Sequence, residues 1–398
     1  MTTAVGTAVQ ARVAVATLFF VNGFSFANIV PRYPEIKDGL SLSNAALGTA
    51  IAAMPLGALI LGLAASPLIK RFGSARTAVC TQALAGANII FVGTAPNYAL
   101  LCAGLFLAGS FDAVTDVAMN AHGMRVQRLY QRSILNSFHG VWSVGAVLGG
   151  FAGAGAAQAQ VPLSVHLAVT GCVSAAAALV SLRYLLPGAE DTERESSGDG
   201  QRAVPPGARW AVVRLLAVLG LLAAAAAVVE DSGASWGSVY LRNELAANAF
   251  VGGLAFASLQ GAQTVGRLLG DRVVQRLGDR LTARIGGTLA LAGMGTALLW
   301  PSVPATVAGF GLAGLGIATL IPAAFHAADE IPGLWPGAGI TITAFLTRVG
   351  FLLSPPLVGL VADASSIRLG LAIVPLAGLV ILLTSGILDP RPRGDAGG

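Results

Sequence analysis

The chain is 398 residues long, with 55% hydrophobic residues, only 11% charged residues and a formal net charge of +5. Soluble domains carry about 25% charged residues, so this composition, with a mean hydropathy of +0.74, excludes an ordinary soluble globule and makes lipid the main solvent. The basic excess sits in connecting segments between apolar runs, so it reports topology and gives a nucleic-acid partner no support.

A membrane-spanning helix needs roughly 20 apolar residues. About twelve such stretches follow one another, near 12–31, 45–68, 76–95, 98–121, 134–157, 162–186, 210–235, 247–269, 282–300, 303–325, 337–360 and 368–388. The first is too long for a cleaved leader and holds Asn22 and Asn28, so a true span is expected. Pro96-Asn97 and Pro301-Ser302 turn the chain between spans. The one long polar interval, 187–209, reads PGAEDTERESSGDGQRAVPPGAR. Its Gly, Pro, Ser and alternating charges describe a flexible linker. The expected organisation is a six-helix bundle over 1–186, a cytoplasmic linker over 187–209 and a second six-helix bundle over 210–398.

Twelve spans put both termini on one side of the membrane. Of the 24 Lys and Arg, nineteen fall in the termini and the even-to-odd connections, and the opposite side keeps Arg32, Lys37, Arg242 and Arg368. That asymmetry places both termini in the cytoplasm. The connection 326–336 fits poorly, offering Asp329 and Glu330 without Lys or Arg. Cys80, Cys102 and Cys172 all fall inside expected spans, where an odd set gives neither a disulfide framework nor metal spacing, and small packing residues are expected.

The second half repeats the first at a fixed offset. Arg71 and Gly73 in KRFGSAR are answered by Arg276 and Gly278 in QRLGDR, each pair 205 residues apart, and the same offset carries Gly48 onto Gly253, Gly109 onto Gly314 and Gly145 onto Gly350. Two parallel copies of a multi-helix unit are a common construction of secondary transporters, with the solute site at the repeat interface. The glycines, as in Gly145-x-x-x-Gly149, suit close helix contact in lipid.

The connections after spans 2 and 8 read GLAASPLIKRFGSAR (Gly62 to Arg76) and RLLGDRVVQRLGDR (Arg267 to Arg280). Here the chain resembles the major facilitator superfamily, whose corresponding loops carry the pattern G-x-x-x-D-R-x-G-R-R. With the spans, the linker and the repeat, the resemblance covers nearly the whole chain. It implies a charge latch in which an acidic residue holds basic loop residues in one conformational state. Lys70 stands at the family's Asp position in the first copy, so a latch there needs another acid, while Asp271 and Arg267 fit better in the second. Lys70, Arg71, Gly73, Arg76, Arg267, Asp271, Arg276 and Gly278 are the expected gating residues. A finer resemblance, in DAVTDVAMNAHG (Asp112 to Gly123), NSFHGVWSVGAVLGG (Asn136 to Gly150) and EDSGASWGSVYL (Glu230 to Leu241), is to the branch containing proton-coupled fucose permease and related bacterial sugar or drug permeases. It implies that Asp116, the span-4 acid four residues before Asn120, serves proton coupling.

The same residues stand out without the family. Asp112, Asp116 and Asn120 recur every four residues, on one face of span 4. A carboxylate at bilayer depth costs about 2.5–3.5 kcal/mol or more and must face a cavity or a partner. A hairpin turning near residue 127 brings Asp116 and His139 to about one depth, and Asn120 and Asn136 likewise. A carboxyl and an imidazole so placed are groups that a reversible proton carrier uses, although a fixed hydrogen bond locking the hairpin is the alternative. Arg348, inside span 11, needs an anion: Glu230, Asp231, Asp112 or a solute carboxylate or phosphate. Asn22, Asn28, Asn120, Asn136, Trp142, Glu230, Gln260, Gln263 and Arg348 are the expected solute-binding residues, and amides with aromatics suit hydroxyl-rich or heteroaromatic solutes. Phe19, Phe20, Phe24 and Phe26 are expected against lipid or neighbouring helices, and Pro355-Pro356 is expected to break or bend span 11. Under the 205-residue repeat Asp116 maps to Ile321, His139 to Ala344 and Ser143 to Arg348, so the proposed chemistry is one-sided.

The expectation is therefore an all-α integral membrane protein of the bacterial inner membrane with twelve spans in two six-helix pseudo-repeats. It would move a small polar organic solute by alternating access, coupled to protons, as a monomer and without a cofactor or metal. Efflux of drugs or metabolites is the alternative, and a non-transporting sensor a further one. No HExxH, GxSxG or paired catalytic constellation stands in a loop, so an enzyme is not expected.

Overall fold

The computed structural model describes residues 2–130, 134–188, 209–331, 334 and 338–388. Among these the regular structure is helical: α1 (Thr2–Ile29), α2 (Tyr33–Gly39), α3 (Asn44–Leu61), α4 (Ala65–Phe72), α5 (Ser74–Gly93), α6 (Tyr98–Tyr130), α7 (Leu135–Gln158) and α8 (Leu163–Ser181), then α9 (Arg209–Asn243), α10 (Ala249–Leu299), α11 (Val303–Ile317), α12 (Leu320–Asp329), α13 (Ala338–Ala364), α14 (Ile367–Gly370) and α15 (Ile373–Thr384). Helices are the outcome that apolar runs in lipid require, because each satisfies its backbone groups within itself.

Among the described residues, ten helices or helix pairs are long and apolar enough to cross a membrane, and they coincide with expected spans 1 to 7 and 10 to 12. Spans 8 and 9 are the two arms of α10, a 51-residue helix whose backbone leaves helical geometry at Gly278 (φ 76°, ψ 161°). Gln260 and Gln263 make one arm less apolar and Arg284 the other.

The chain forms two compact units, Met1–Leu42 with Thr49–Glu195 and Asn248–Gly253, and Ser43–Gly48 with Ser196–Ala247 and Leu254–Gly398. Of the expected linker, residues 189–208 lie outside the described residues, as do Arg132, Arg391 and Arg393. In the first unit α1 packs along α7, and α5 against α6 and α8; in the second, α9 packs along α13.

The repeat is visible in local geometry. Gly73 separates α4 from α5 at φ 82°, ψ 155°, and Gly278 adopts nearly the same conformation between the arms of α10. A side chain at either position would be strained, since positive φ costs an L-residue roughly 1–2 kcal/mol. Four residues on, the Thr77 hydroxyl donates to the Gly73 carbonyl at 2.8 Å, and the Thr282 hydroxyl to the Gly278 carbonyl, also at 2.8 Å. The helix starts match too: Asn97 accepts from the amide of Leu100 at 3.0 Å, and Ser302, 205 residues later, from that of Ala305 at 3.3 Å. Both caps satisfy donors that a helix start leaves open.

Glycine spacing sets the helix contacts. A Cβ on Gly145, Gly149 or Gly153 of α7 would run into the carbonyl oxygens of Phe20, Phe24 and Asn28 on α1 in turn, so these helices touch backbone to backbone. Gly109 meets the Met54 carbonyl in the first unit as Gly314 meets that of Leu259 in the second.

One sequence expectation needs correction: Cys80 and Cys172 are exposed on their helices and Cys102 is only partly covered, so they do not fill the interior. At Pro355-Pro356, where a break or bend is expected, α13 continues without a break. Phe19, fully buried and stacked on Phe138 with ring centroids 5.5 Å apart, faces a neighbouring helix as expected.

Candidate functional site

Span 1 places Asn22 at the centre of a polar cluster in the first unit. Asn22 Nδ2 donates to Asp112 Oδ1 at 2.9 Å and to Gln82 Oε1 at 3.2 Å, and Asn22 Oδ1 accepts from Trp142 Nε1 at 2.7 Å. Four helices, α1, α5, α6 and α7, thus send polar side chains to one point inside an apolar bundle. Buried polar groups cost free energy unless they pair, and this cluster pairs most of them. Gln82 Nε2 remains buried without a hydrogen-bond partner. Asn22, Gln82 and Asp112 of this cluster line a cavity of about 60 Å³, whose remaining wall is mainly apolar, including Phe26, Met54, Ile89 and Leu105. In this conformation the space is below the usual range for small-molecule sites, about 300–1,000 Å³.

One turn along α6 from Asp112, Asp116 and Asn120 form a second polar group. Asn120 Nδ2 donates to the carboxylate of Asp116 at 2.9 Å and to its carbonyl at 2.8 Å. Asn120 Oδ1 stands 3.2 Å from His139 Nε2. With the amide hydrogens of Asn120 on Asp116, its oxygen faces the imidazole. The expected hairpin alignment of Asp116 and His139 is thus present, with Asn120 bonded to both. Asp116 and His139 are exposed, and His139 also packs edge-on against Phe19 at 5.2 Å between centroids. Asn136, expected at about the depth of Asn120, is exposed and its side chain forms no hydrogen bond to Asn120 among the described residues.

Asn28 belongs elsewhere. It is fully buried, donates to the Phe24 carbonyl at 2.7 Å and contacts His166 Nε2 at 2.8 Å. His166 Nδ1 faces Arg32 at 3.3 Å, and Arg32, only 1% exposed, binds the Val161 carbonyl at 2.8 Å and Glu35 at 2.6 Å. This chain ties α1 to α8 and serves the scaffold. Sequence reasoning missed it because Arg32 was read as a loop charge and His166 passed over. It also missed His122, wholly buried and bonded to the Ser74 hydroxyl at 2.8 Å and the Leu186 amide at 3.1 Å. The available signal was a histidine inside each of three apolar spans.

In the second unit Gln263 Nε2 donates to Glu230 Oε2 at 2.8 Å, and Arg267 approaches the same oxygen at 3.9 Å. Gln260 Nε2 and Gln263 Oε1 are buried without hydrogen-bond partners. Arg348 is exposed and forms no salt bridge among the described residues, so the expected buried ion pair with Glu230, Asp231 or Asp112 is absent. Trp236 is fully buried, its indole in the interior of this unit.

The expected gating residues divide. Gly73 and Gly278 set the bends described above. Lys70, Arg71 and Arg76 line a wide basic cavity in the first unit together with Arg125, Arg128 and Arg183. Asp271 is exposed, and neither it nor Arg276 forms a salt bridge among the described residues, while Arg267 turns to Glu230. The expected Asp271–Arg267 latch is therefore not formed in this structure. Instead, Arg125 grips the Pro187 carbonyl at 3.0 Å and Arg280 the Leu388 carbonyl at 3.0 Å, each holding the end of its unit's last helix. Among the described residues no group of three His, Cys, Asp or Glu is arranged to hold a metal ion.

The family model described as Major Facilitator Superfamily matches residues 15–230. The membrane protein MosC of Rhizobium meliloti is 29% identical over 385 residues, covering 96% of this chain and 91% of that protein. An uncharacterised transporter of Sinorhizobium fredii is 30% identical, covering 94% of this chain and 97% of its own length. Among solved structures, the nucleoside transporter NupG (D323A mutant) superposes with a TM-score of 0.78 at 11% identity, over 95% of this chain and 100% of that one. A D-xylose-proton symporter gives 0.71 at 14% identity over 98% of each chain. At those identities the likeness is one of fold.

Proposed function

The chain belongs to the major facilitator superfamily and is a multi-pass membrane transporter, and from that premise we propose that it moves a small polar organic solute by alternating access, coupled to protons. The carrying observation is the Asn22–Asp112–Gln82–Trp142 cluster, of which Asn22, Asp112 and Gln82 line a small, otherwise apolar cavity. Donors and acceptors converge there with an aromatic ring beside them, which suits a hydroxyl-rich or heteroaromatic solute. Buried amide atoms without partners occur in both units, at Gln82 in the first and at Gln260 and Gln263 in the second. Such atoms call for an explanation, and a solute that completes their hydrogen bonds supplies one. The nucleoside transporter NupG and a D-xylose-proton symporter share this fold, which supports the same two solute classes and, through the latter, symport.

Coupling falls to Asp116 with His139, assisted by Asp112. The exposed carboxylate and imidazole, both oriented by Asn120, exchange protons with water. Asp112, one helical turn away and bonded to Asn22, senses the solute cluster. We assign Arg348 and Glu230 to solute contact in the second unit, and the two loop regions around Gly73 and Gly278 to gating. The basic asymmetry supports cytoplasmic termini in a bacterial inner membrane, and a monomer contains every residue this reading uses.

The test is proton flux in proteoliposomes containing the purified full chain, against a panel of sugars, nucleosides and nucleobases, amino acids and common drugs. The reading expects solute-dependent proton uptake with a sugar or nucleoside-like compound. Movement of drugs only, with resistance conferred on expressing cells, would replace it with efflux.

A further inference from the structure

One wide cavity of the first unit has no part in the solute reading. It measures about 960 Å³ and lies between the Lys70–Arg76 segment, the last turns of α6 and the chain leaving α8. Lys70, Arg71, Arg76, Arg125, Arg128 and Arg183 line it, and no described residue of its wall is acidic. Arg125 is buried and holds the carbonyls of Pro187 at 3.0 Å and Gly188 at 3.4 Å, which ties the chain leaving α8 to α6. Lys70, Arg71, Arg76 and Arg183 are exposed and form no salt bridge among the described residues. Like charges gathered around one space repel each other, and an anion among them removes that repulsion.

Neither topology nor the repeat asks for this gathering. Basic residues set orientation by their number, wherever they stand in the short connections. Gating parts common to both halves would keep their charges at the 205-residue offset, as Arg71 does with Arg276. The other equivalents are Gln275 for Lys70, Leu281 for Arg76, Glu330 for Arg125 and Leu388 for Arg183. At these positions the cations belong to the first half alone.

The apolar part of the wall selects among anions. Phe72, Val117, Met124 and Leu182 line the same cavity and are exposed. A free phosphate would leave these side chains against water. A phospholipid brings a phosphate to the cations and an acyl chain to the apolar surface beside them. The cations also stand at the depth of headgroups: Lys70 and Arg71 follow span 2, Arg76 opens span 3, Arg128 follows span 4 and Arg183 closes span 6. Basic pockets between spans on the cytoplasmic side suit such headgroups, and the charge asymmetry puts these ends on that side.

We infer that this cavity binds the headgroup of an anionic phospholipid, its phosphate held by Lys70, Arg71, Arg76 and Arg183 and its chains lying along Phe72 and Leu182. The site is independent of the solute and of proton coupling, and lipid retention reads it without any transport assay.

The measurement is native mass spectrometry of the purified, delipidated full chain in micelles containing phosphatidylglycerol or phosphatidylcholine with the same acyl chains. Phosphatidylglycerol should be retained in preference, with an affinity lower by roughly thirtyfold in Lys70→Gln/Arg183→Gln, the scale of two basic residues at an anionic surface. Arg272→Gln/Arg284→Gln removes two exposed cations of α10 and should retain the lipid as wild type does. Excess inorganic phosphate should not displace it. All four substituted residues are exposed, so both variants should fold, checked by a single monodisperse chromatographic peak. Equal retention of the two lipids overturns the inference, as does an equal affinity in Lys70→Gln/Arg183→Gln and wild type. A matching loss in the α10 variant also overturns it, since general surface charge would then hold the lipid. Displacement by inorganic phosphate would make a free anion the ligand. The full chain carries Glu190, Asp191, Glu193 and Glu195 as internal competitors, and a wild type that retains no phosphatidylglycerol contradicts the proposal as well.

Discussion

The two halves of this chain share their bends and differ in their polar interiors. At Gly73 and Gly278 the backbone takes one conformation, followed by the same threonine bond four residues on. At Gly109 and Gly314 a helix approaches its neighbour's carbonyl at equivalent positions, Met54 and Leu259. Yet the first unit gathers Asn22, Gln82, Asp112 and Trp142, whereas the second joins Gln263 to Glu230 and Ser235 to Asp231. Under the proposed alternating access, backbone geometry is what both copies must keep. Side-chain chemistry is free to diverge between them.

The comparison predicts which substitutions act alike in the two halves. Gly109→Leu and Gly314→Leu should each abolish a monodisperse peak in detergent size-exclusion chromatography, since the new side chain meets backbone that cannot yield. A fold that survives one but not the other would break the equivalence. Among interior residues, Gln82→Leu and Gln263→Leu should each weaken solute binding by about tenfold or more, the scale of a lost buried hydrogen bond, with folding retained. Binding isotherms check this, and an effect confined to one half would assign the solute to that half. Gly73→Ala and Gly278→Ala should each lose about 1–2 kcal/mol from the strained positive φ, read as equal downward shifts in thermal midpoint. The smallest effect is expected from Thr77→Val and Thr282→Val, about 0.5–1.5 kcal/mol each for one hydrogen bond, again equal in the two halves.

The fold was legible because lipid imposes simple rules. Apolar length gave the spans, and glycine register gave the repeat, down to the bend at Gly278 inside a helix that otherwise runs unbroken across two spans. The site was legible in its residue types: four-residue spacing put Asp112, Asp116 and Asn120 on one face, and Asn22 and Trp142 were singled out as amide and aromatic. What spacing does not carry is the rotation of one helix about another. That angle places Asn120 between Asp116 and His139, sends Asn28 to His166, and leaves Asn136 and Arg348 exposed. Gln82 and His122 were missed for a related reason, since a single polar residue in an apolar span reveals its partner only when the neighbouring helices are in place.

The central claim is that protons drive transport through the first unit. It is tested most directly by solute accumulation in proteoliposomes with an imposed inward proton gradient, wild type against Asp116→Asn, using the compound that the flux panel identifies. The account predicts that wild-type accumulation grows with the gradient and collapses with a protonophore, while Asp116→Asn exchanges labelled for unlabelled solute but never concentrates it. Gradient-driven accumulation by Asp116→Asn equal to wild type would contradict it.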